Sequence, residues 1–346
     1  ISRDIPGGLL PSIYGVLPLV GYDNSLIIDE DGKGWIPGSA SPVFDVGGPV
    51  MTPAARAFPM GGCAGSVLGA VIFGDPGGTV HAFNATDWTE CPSWPVVLDT
   101  LATFPVPAVT THGTYVIAAE KDGDLHMIDA DGQEAGTPVS PPSGHSFTGN
   151  LVLEKNDLDQ ATAVLCLVEC TGEGCGDPRL LRWEIGEGGL STVETVTSDV
   201  PLSRSGLSGG VFLSGGDILP DRPGTEVWVT ARESGEVFLC GSGGRISTRK
   251  EDFSIPFPPA VQDLNGDGRP DLALSRGDTL EILLQRAGGG FVSIPGYSIG
   301  NAEARAALAV GDLNGDGDLD LATTDQVFHG VSPLFNQLAA RVDLDG

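Results

Sequence analysis

Short apolar runs, not helical stripes, organise this chain. Seven segments of four or five residues open with a polar residue and continue apolar: Ser25-Leu-Ile-Ile28, Thr79-Val-His-Ala-Phe83, Asp124-Leu-His-Met-Ile128, Arg179-Leu-Leu-Arg-Trp183, Glu236-Val-Phe-Leu239, Thr279-Leu-Glu-Ile282 and Gln326-Val-Phe-His329. A second, nearly continuous apolar run precedes each one, at 16–20, 67–73, 115–118, 163–168, 226–229, 272–274 and 319–322. Runs this short, bounded by Gly and polar residues, predict strands covered on both faces. No stretch sustains a 3.6-residue apolar period beyond two turns, so helices are few.

Counted from Leu26 to Val327, the segments recur at steps of 43 to 57 residues, with a mean of about 50. Repeats of that length holding several short strands predict a β-propeller, because each small sheet must bury its faces against its neighbours. The expected fold is all-β: a seven-bladed β-propeller of four-stranded antiparallel blades. It forms a single domain over 1–346, with blades at about 8–47, 48–104, 105–147, 148–207, 208–257, 258–304 and 305–346.

Two of the repeats carry a polar pattern with chemical content. Asp263-Leu-Asn265-Gly-Asp267-Gly268-Arg269-Pro-Asp271 and Asp312-Leu-Asn314-Gly-Asp316-Gly317-Asp318-Leu-Asp320 begin 49 residues apart and agree at seven of nine positions. Oxygen side chains stand at loop positions 1, 3, 5 and 9, with Gly at position 6 where the backbone must turn. Calcium takes six to eight oxygens at about 2.3–2.6 Å, and alternate residues of a tight loop can aim several at one point while position 7 offers its carbonyl. The bidentate Glu that a helix–loop–helix calcium hand needs at position 12 is replaced by Leu274 and Thr323, and strands follow each loop. Without a cation, the aspartates would repel one another. Two Ca²⁺ sites are expected. Eroded copies at 154–159 and 216–226 keep the flanks but not the oxygen spacing.

Charge narrows the partners. Eighteen Lys and Arg against 46 Asp and Glu leave a net −28, which repels nucleic acid and anionic membrane. The excess acid suits a calcium-rich or saline medium, or simple solubility. Six cysteines, at 63, 91, 166, 170, 175 and 240, lack zinc-like pairing. A disulfide could close the short loop from Cys170 to Cys175, and Cys63 and Cys91 fall on neighbouring segments of one repeat. Beside calcium loops, these point to an oxidising extracellular or periplasmic setting; buried free thiols are the alternative. A start at Ile1 is what removal of a leader leaves, and a trimmed chain would look the same. No apolar run approaches membrane-spanning length.

Other motifs carry less. Gly206-Leu-Ser208-Gly-Gly210 has the spacing of a nucleophile elbow, but a strand follows where a helix is needed. Arg276-Gly277-Asp278 falls in a hairpin, where Gly-Asp is ordinary turn chemistry. Asn84-Ala-Thr86 is a glycosylation sequon. His81 and His126 occupy equivalent repeat positions, each ahead of an Asn-Ala or Asp-Ala turn, which favours a structural role. Trp183 and Trp228 lie within strand patterns and are expected in the core, whereas Trp35, Trp88 and Trp94 could stack on sugars. No acid/base carboxylate pair can be singled out among 46 acids.

The stretches Ala-Val-Gly-Asp312 to Asp320-Leu-Ala and Val-Gln-Asp263 to Asp271-Leu-Ala resemble the FG-GAP/VCBS repeat of integrin-α-type propellers. The resemblance is specific over the last two blades and degenerate over the fourth and fifth. The first three resemble the generic repeats of quinoprotein-like propellers. The resemblance implies an extracellular ring with calcium in the loop between first and second strands. Its ligands would be Asp263, Asn265, Asp267, the carbonyl of Arg269 and Asp271, then Asp312, Asn314, Asp316, the carbonyl of Asp318 and Asp320. It also implies a binding, adhesion or assembly module with a protein or glycan partner at a ring face or rim. The alternative is a carbohydrate-active propeller, either a polysaccharide lyase marked by a basic island or a lectin marked by repeated aromatic pockets. Fold alone does not choose.

Overall fold

The alternate residues of single strands feed successive layers of core. In a computed structural model of the chain, Val71 and Phe73 pack with Leu26, Ile28 and Phe44, while Ile72, between them, packs with Val116, Ala118 and Ile128. The same division recurs later, where Leu272 and Leu274 join Trp228, Val237 and Leu239, and Ala273 joins Leu264, Leu280 and Leu321. Each such sheet is sandwiched between two others, which is why its inner strands read as unbroken apolar runs. Strands Ala70–Gly74 and Glu226–Ala231 are buried at every position.

The structure describes residues 13–18, 25–29, 31–36, 39–57, 60, 63, 69–156, 158–171, 178–197, 200, 210–216, 226–231, 236–241, 244–250, 259–276, 279–286, 291–298, 308–325 and 330–336. Within them, strands run as antiparallel meanders in seven sheets, spanning 13–45, 51–97, 106–129, 145–197, 211–250, 260–298 and 308–334. Five sheets show four strands, and the third and seventh show three. In the third, isolated bridges from Leu125 to Val139 and from Ile128 to Glu134 mark where a fourth would lie. Contacts divide the chain into two compact units, Arg3–Pro201 holding the first four sheets and Leu202–Gly346 holding the last three.

Hairpin turns are fixed by side-chain carboxylate and amide oxygens at the Asp-Ala and Asn-Ala positions. Asp129 Oδ1 accepts the N–H groups of Asp131 and Gln133, and Asn84 Oδ1 accepts that of Thr86. These Asx turns reinforce the backbone bonds that close the same reversals, such as Asp129 N–H to the Gln133 carbonyl and Asn84 N–H to the Thr89 carbonyl. The repeated geometry extends to the histidines: His81 Nδ1 lies 2.9 Å from Glu90 Oε1 and His126 Nδ1 lies 2.6 Å from Glu134 Oε1. Both rings are nearly buried and pin the next segment of their own sheet.

The first repeat departs from expectation in phase. Residues 16–20 and 25–28 are expected as second and third strands, yet among the described residues Ile13–Pro18 and Ser25–Asp29 are the first and second. The third is Lys33–Trp35. It is too short to write an apolar run, and it is held by Asp29, whose carboxylate accepts Asp31 N–H, Lys33 N–H and the Trp35 indole. The seventh expected segment, 326–329, lies outside the described residues; the third strand there is Gly330–Leu334.

Candidate metal centre

Both acidic loops connect the first and second strands of their sheets. The first loop runs between Ala260–Gln262 and Asp271–Arg276, and the second between Leu308–Gly311 and Asp320–Asp325. Their construction is closely matched. Asp263 accepts the N–H groups of Gly266 (2.8 Å), Asp267 (3.0 Å) and Gly268 (2.8 Å); Asp312 accepts those of Gly315 (2.7 Å) and Gly317 (3.0 Å). Asn265 and Asn314 each accept the N–H two residues on and donate their amide to the carboxylate of Asp267 or Asp316. Asp267 and Asp316 in turn accept the N–H of Arg269 and Asp318. Two glycines per loop make this possible: Gly266 and Gly268, like Gly315 and Gly317, have φ between 74° and 93°, where a side chain would be strained.

Asp271 and Asp320 close the loops from below. Both are fully buried. One carboxylate oxygen accepts the N–H of loop position 2, Leu264 or Leu313, each at 3.0 Å. The other accepts a backbone N–H from the end of the next strand, Gln285 at 2.9 Å or Asn336 at 2.6 Å. Burial pushes the Asp271 carboxyl up to about 6; those two N–H groups hold it down in part, and the charges of Asp267 and Asp263 add to the rise. A carboxyl so placed gains from a nearby cation.

The donor set fits a hard cation. Every side-chain candidate in the two loops is a carboxylate or amide oxygen, and each carboxylate has about four lone-pair positions, of which the loop amides use only some. Asp263, Asn265, Asp267 and Asp271, and likewise Asp312, Asn314, Asp316 and Asp320, are gathered on one nine-residue turn. Their carboxylates face loop amides, and among the described residues no three His, Cys, Asp or Glu side chains form a converged metal group. The loops differ at position 7. The Arg269 guanidinium lies 2.7 Å from Asp267 Oδ2 and also donates to the Gln285 carbonyl, whereas Asp318 adds a fourth carboxylate to the second loop.

Gln285 and Asn336 are the residues that motif reading misses. They lie 14 and 16 residues beyond the aspartates they hold, outside any local pattern. Glu226 is a further relative: it opens its second strand opposite Gly216, as Asp271 does opposite Gln262 and Asp320 opposite Gly311, and it too is buried. The 217–225 segment before it lies outside the described residues, as do Ser208, Gly277 and Asp278.

Of the tryptophans expected to stack on sugars, Trp35 and Trp88 are half-buried, with Trp88 packed against Phe44. Trp183 and Trp228 are buried, Trp94 is buried with its indole N–H directed at the Ala130 carbonyl, and Trp35 is tied to Asp29. Asn84, of the sequon, is buried. Among the described residues, ion pairs join Lys33 to Asp31 in the first sheet, Lys155 to Asp159 and Arg182 to Glu154 and Glu184 in the fourth, and Arg269 to Asp267 in the sixth.

Residues 263–323 match a protein family described as FG-GAP-like repeat. No curated protein matches the chain. Among solved structures it is similar to BBS1N, crystallised in complex with ARL6DN and soaked with lead. That match has 13% identity and a TM-score of 0.60, and covers 95% of this chain and 93% of that one. The WD40 repeats of RRP9 align at 12% identity and a TM-score of 0.57, covering 93% and 89%. Sqt1 of Saccharomyces cerevisiae aligns at 12% and 0.56, covering 94% and 96%. At such identities the likeness establishes the fold alone, a β-propeller.

Proposed function

Given an FG-GAP-like repeat within a β-propeller fold, we propose that this chain is a seven-bladed, calcium-stabilised module for protein interaction, adhesion or assembly in an oxidising, extracytoplasmic setting. The observation that carries the reading is the matched construction of the two loops, with all-oxygen donor sets held by equivalent hydrogen bonds 49 residues apart. Asp263, Asn265, Asp267, the Arg269 carbonyl and Asp271 would hold one ion, and Asp312, Asn314, Asp316, the Asp318 carbonyl and Asp320 the other. Calcium would supply charge neutralisation and loop rigidity, with no chemistry of its own.

The disulfide between Cys63 and Cys91 and the disulfide-bonded state of Cys170 support the oxidising setting. No helix among the described residues is long and apolar enough to cross a membrane. A propeller crystallised in complex with another protein supports a protein partner over a glycan. The buried tryptophans favour the same choice. An ion that binds only the folded loops stabilises by RT ln(1 + [Ca]/Kd), about 2.7 kcal/mol at a hundredfold excess. Thermal melts with calcium and with chelator test this: a higher Tm with calcium, abolished when Asp263 and Asp312 are both replaced by Ala, supports it. An unchanged Tm refutes it.

A further inference from the structure

The two loops are wired together through one side chain. The Asn336 amide nitrogen donates to the Leu264 carbonyl in the first loop and, at 2.9 Å, to the Leu319 carbonyl in the second. Its backbone N–H donates to Asp320 Oδ1, and the Leu264 N–H donates to Asp271 Oδ2. Leu264 is therefore held on both sides, its N–H by the Asp271 carboxylate and its carbonyl by Asn336, whose own N–H holds the Asp320 carboxylate. Both aspartates are buried candidate ligands, and Leu264 is itself only 2% exposed.

We propose that Asn336 is a positioning residue that couples calcium binding at the two loops, so that an ion in one raises the affinity of the other. The inference rests on the calcium reading above. Its physical basis is ordering. An ion bound at Asp271 fixes the backbone on both sides of Leu264, whose carbonyl then holds Asn336 in place. Asn336 in turn presents its N–H to Asp320, so the second ion meets a loop whose backbone is already set. Direct repulsion between two cations acts in the opposite sense, so positive coupling has to come through the protein.

Calorimetric calcium titration tests the proposal, beginning with four proteins. They are the wild type, the second-loop knockout Asp312→Asn with Asp316→Asn, the first-loop knockout Asp263→Asn with Asp267→Asn, and Asn336→Ala, which keeps the backbone N–H to Asp320. The product of the two wild-type association constants should exceed the product of the single-loop constants by about fivefold or more. Repeating both knockouts in the Asn336→Ala background should lower that ratio by about fivefold, and the quotient of the two ratios reports the coupling. This step also removes any contribution from the altered loop charges, since Asn336→Ala changes none. Wild-type uptake with a ratio of one, or a ratio unaffected by Asn336→Ala, overturns the coupling while leaving the calcium reading intact. No uptake by the wild type overturns both. If Asn336→Ala does not fold, judged by circular dichroism in chelator, the ratio from wild type and knockouts at 0.5 M salt, where loop charges are screened, decides: above one supports the coupling, and one overturns it.

Discussion

Leu264 and Leu313 occupy the same position in the two acidic loops, yet Leu264 is 2% exposed and Leu313 is 37% exposed. Leu264 is covered because it packs with Ala273, Leu280, Ile282, Leu284 and Leu321, drawn from its own sheet and the next. The first loop is thus built into the apolar core of its unit, and the second is not. Leu264→Ala should cost about 2–5 kcal/mol by leaving a cavity, and Leu313→Ala less than about 1 kcal/mol. Denaturant melts of the two variants check this; equal losses would contradict the packing.

Position 7 should set the balance between the loops. The Arg269 guanidinium on Asp267 Oδ2 competes with an ion for that carboxylate. Removing it by Arg269→Ser leaves the position 7 carbonyl in place. In a chain whose second loop is disabled, this should tighten calcium binding at the first loop by on the order of fivefold, or about 1 kcal/mol, at low salt. The gain should shrink at 0.5 M salt, and calorimetry reads both.

The repeat was legible because sandwiching leaves unbroken apolar runs such as Ala70–Gly74. The acidic loops were legible because calcium chemistry writes its ligands at short fixed intervals. Two things were hidden. The first repeat was misphased because Lys33–Trp35 is a three-residue strand whose anchor is the Asp29 carboxylate, not an apolar face. Asn336 was invisible because its bond to Leu264 spans 72 residues and exists only once the sixth and seventh sheets are stacked.

The disulfide between Cys63 and Cys91 closes a span of 28 residues. By loop-closure entropy it should contribute about 3–4 kcal/mol. Reduction, or Cys63→Ala with Cys91→Ala, should lower the Tm accordingly. Cys166 should stay unreactive toward a thiol reagent in the native protein, since its side chain is buried and burial pushes its pKa up. Rapid labelling of Cys166 in the folded state would contradict its placement.

In calcium-free protein, the Asp271 carboxyl is raised from 3.8 to about 6 by burial, with the neighbouring aspartates adding to the rise. The folded state therefore holds this proton to a higher pH than the unfolded chain does. The stability it contributes is fully present below about pH 4 and is lost as pH rises through about 6. In chelator, the Tm of wild type relative to Asp271→Asn should fall across that window. Melts at pH 4.5, 5.5 and 7 measure it, and a rise would contradict the assignment.

The most direct test counts ions. Equilibrium dialysis of the chelator-stripped chain against calcium should return two calcium ions per chain. It should return one for Asp263→Asn with Asp267→Asn, one for Asp312→Asn with Asp316→Asn, and none when all four are replaced. Wild-type uptake near zero, or uptake indifferent to both pairs of substitutions, would contradict the account.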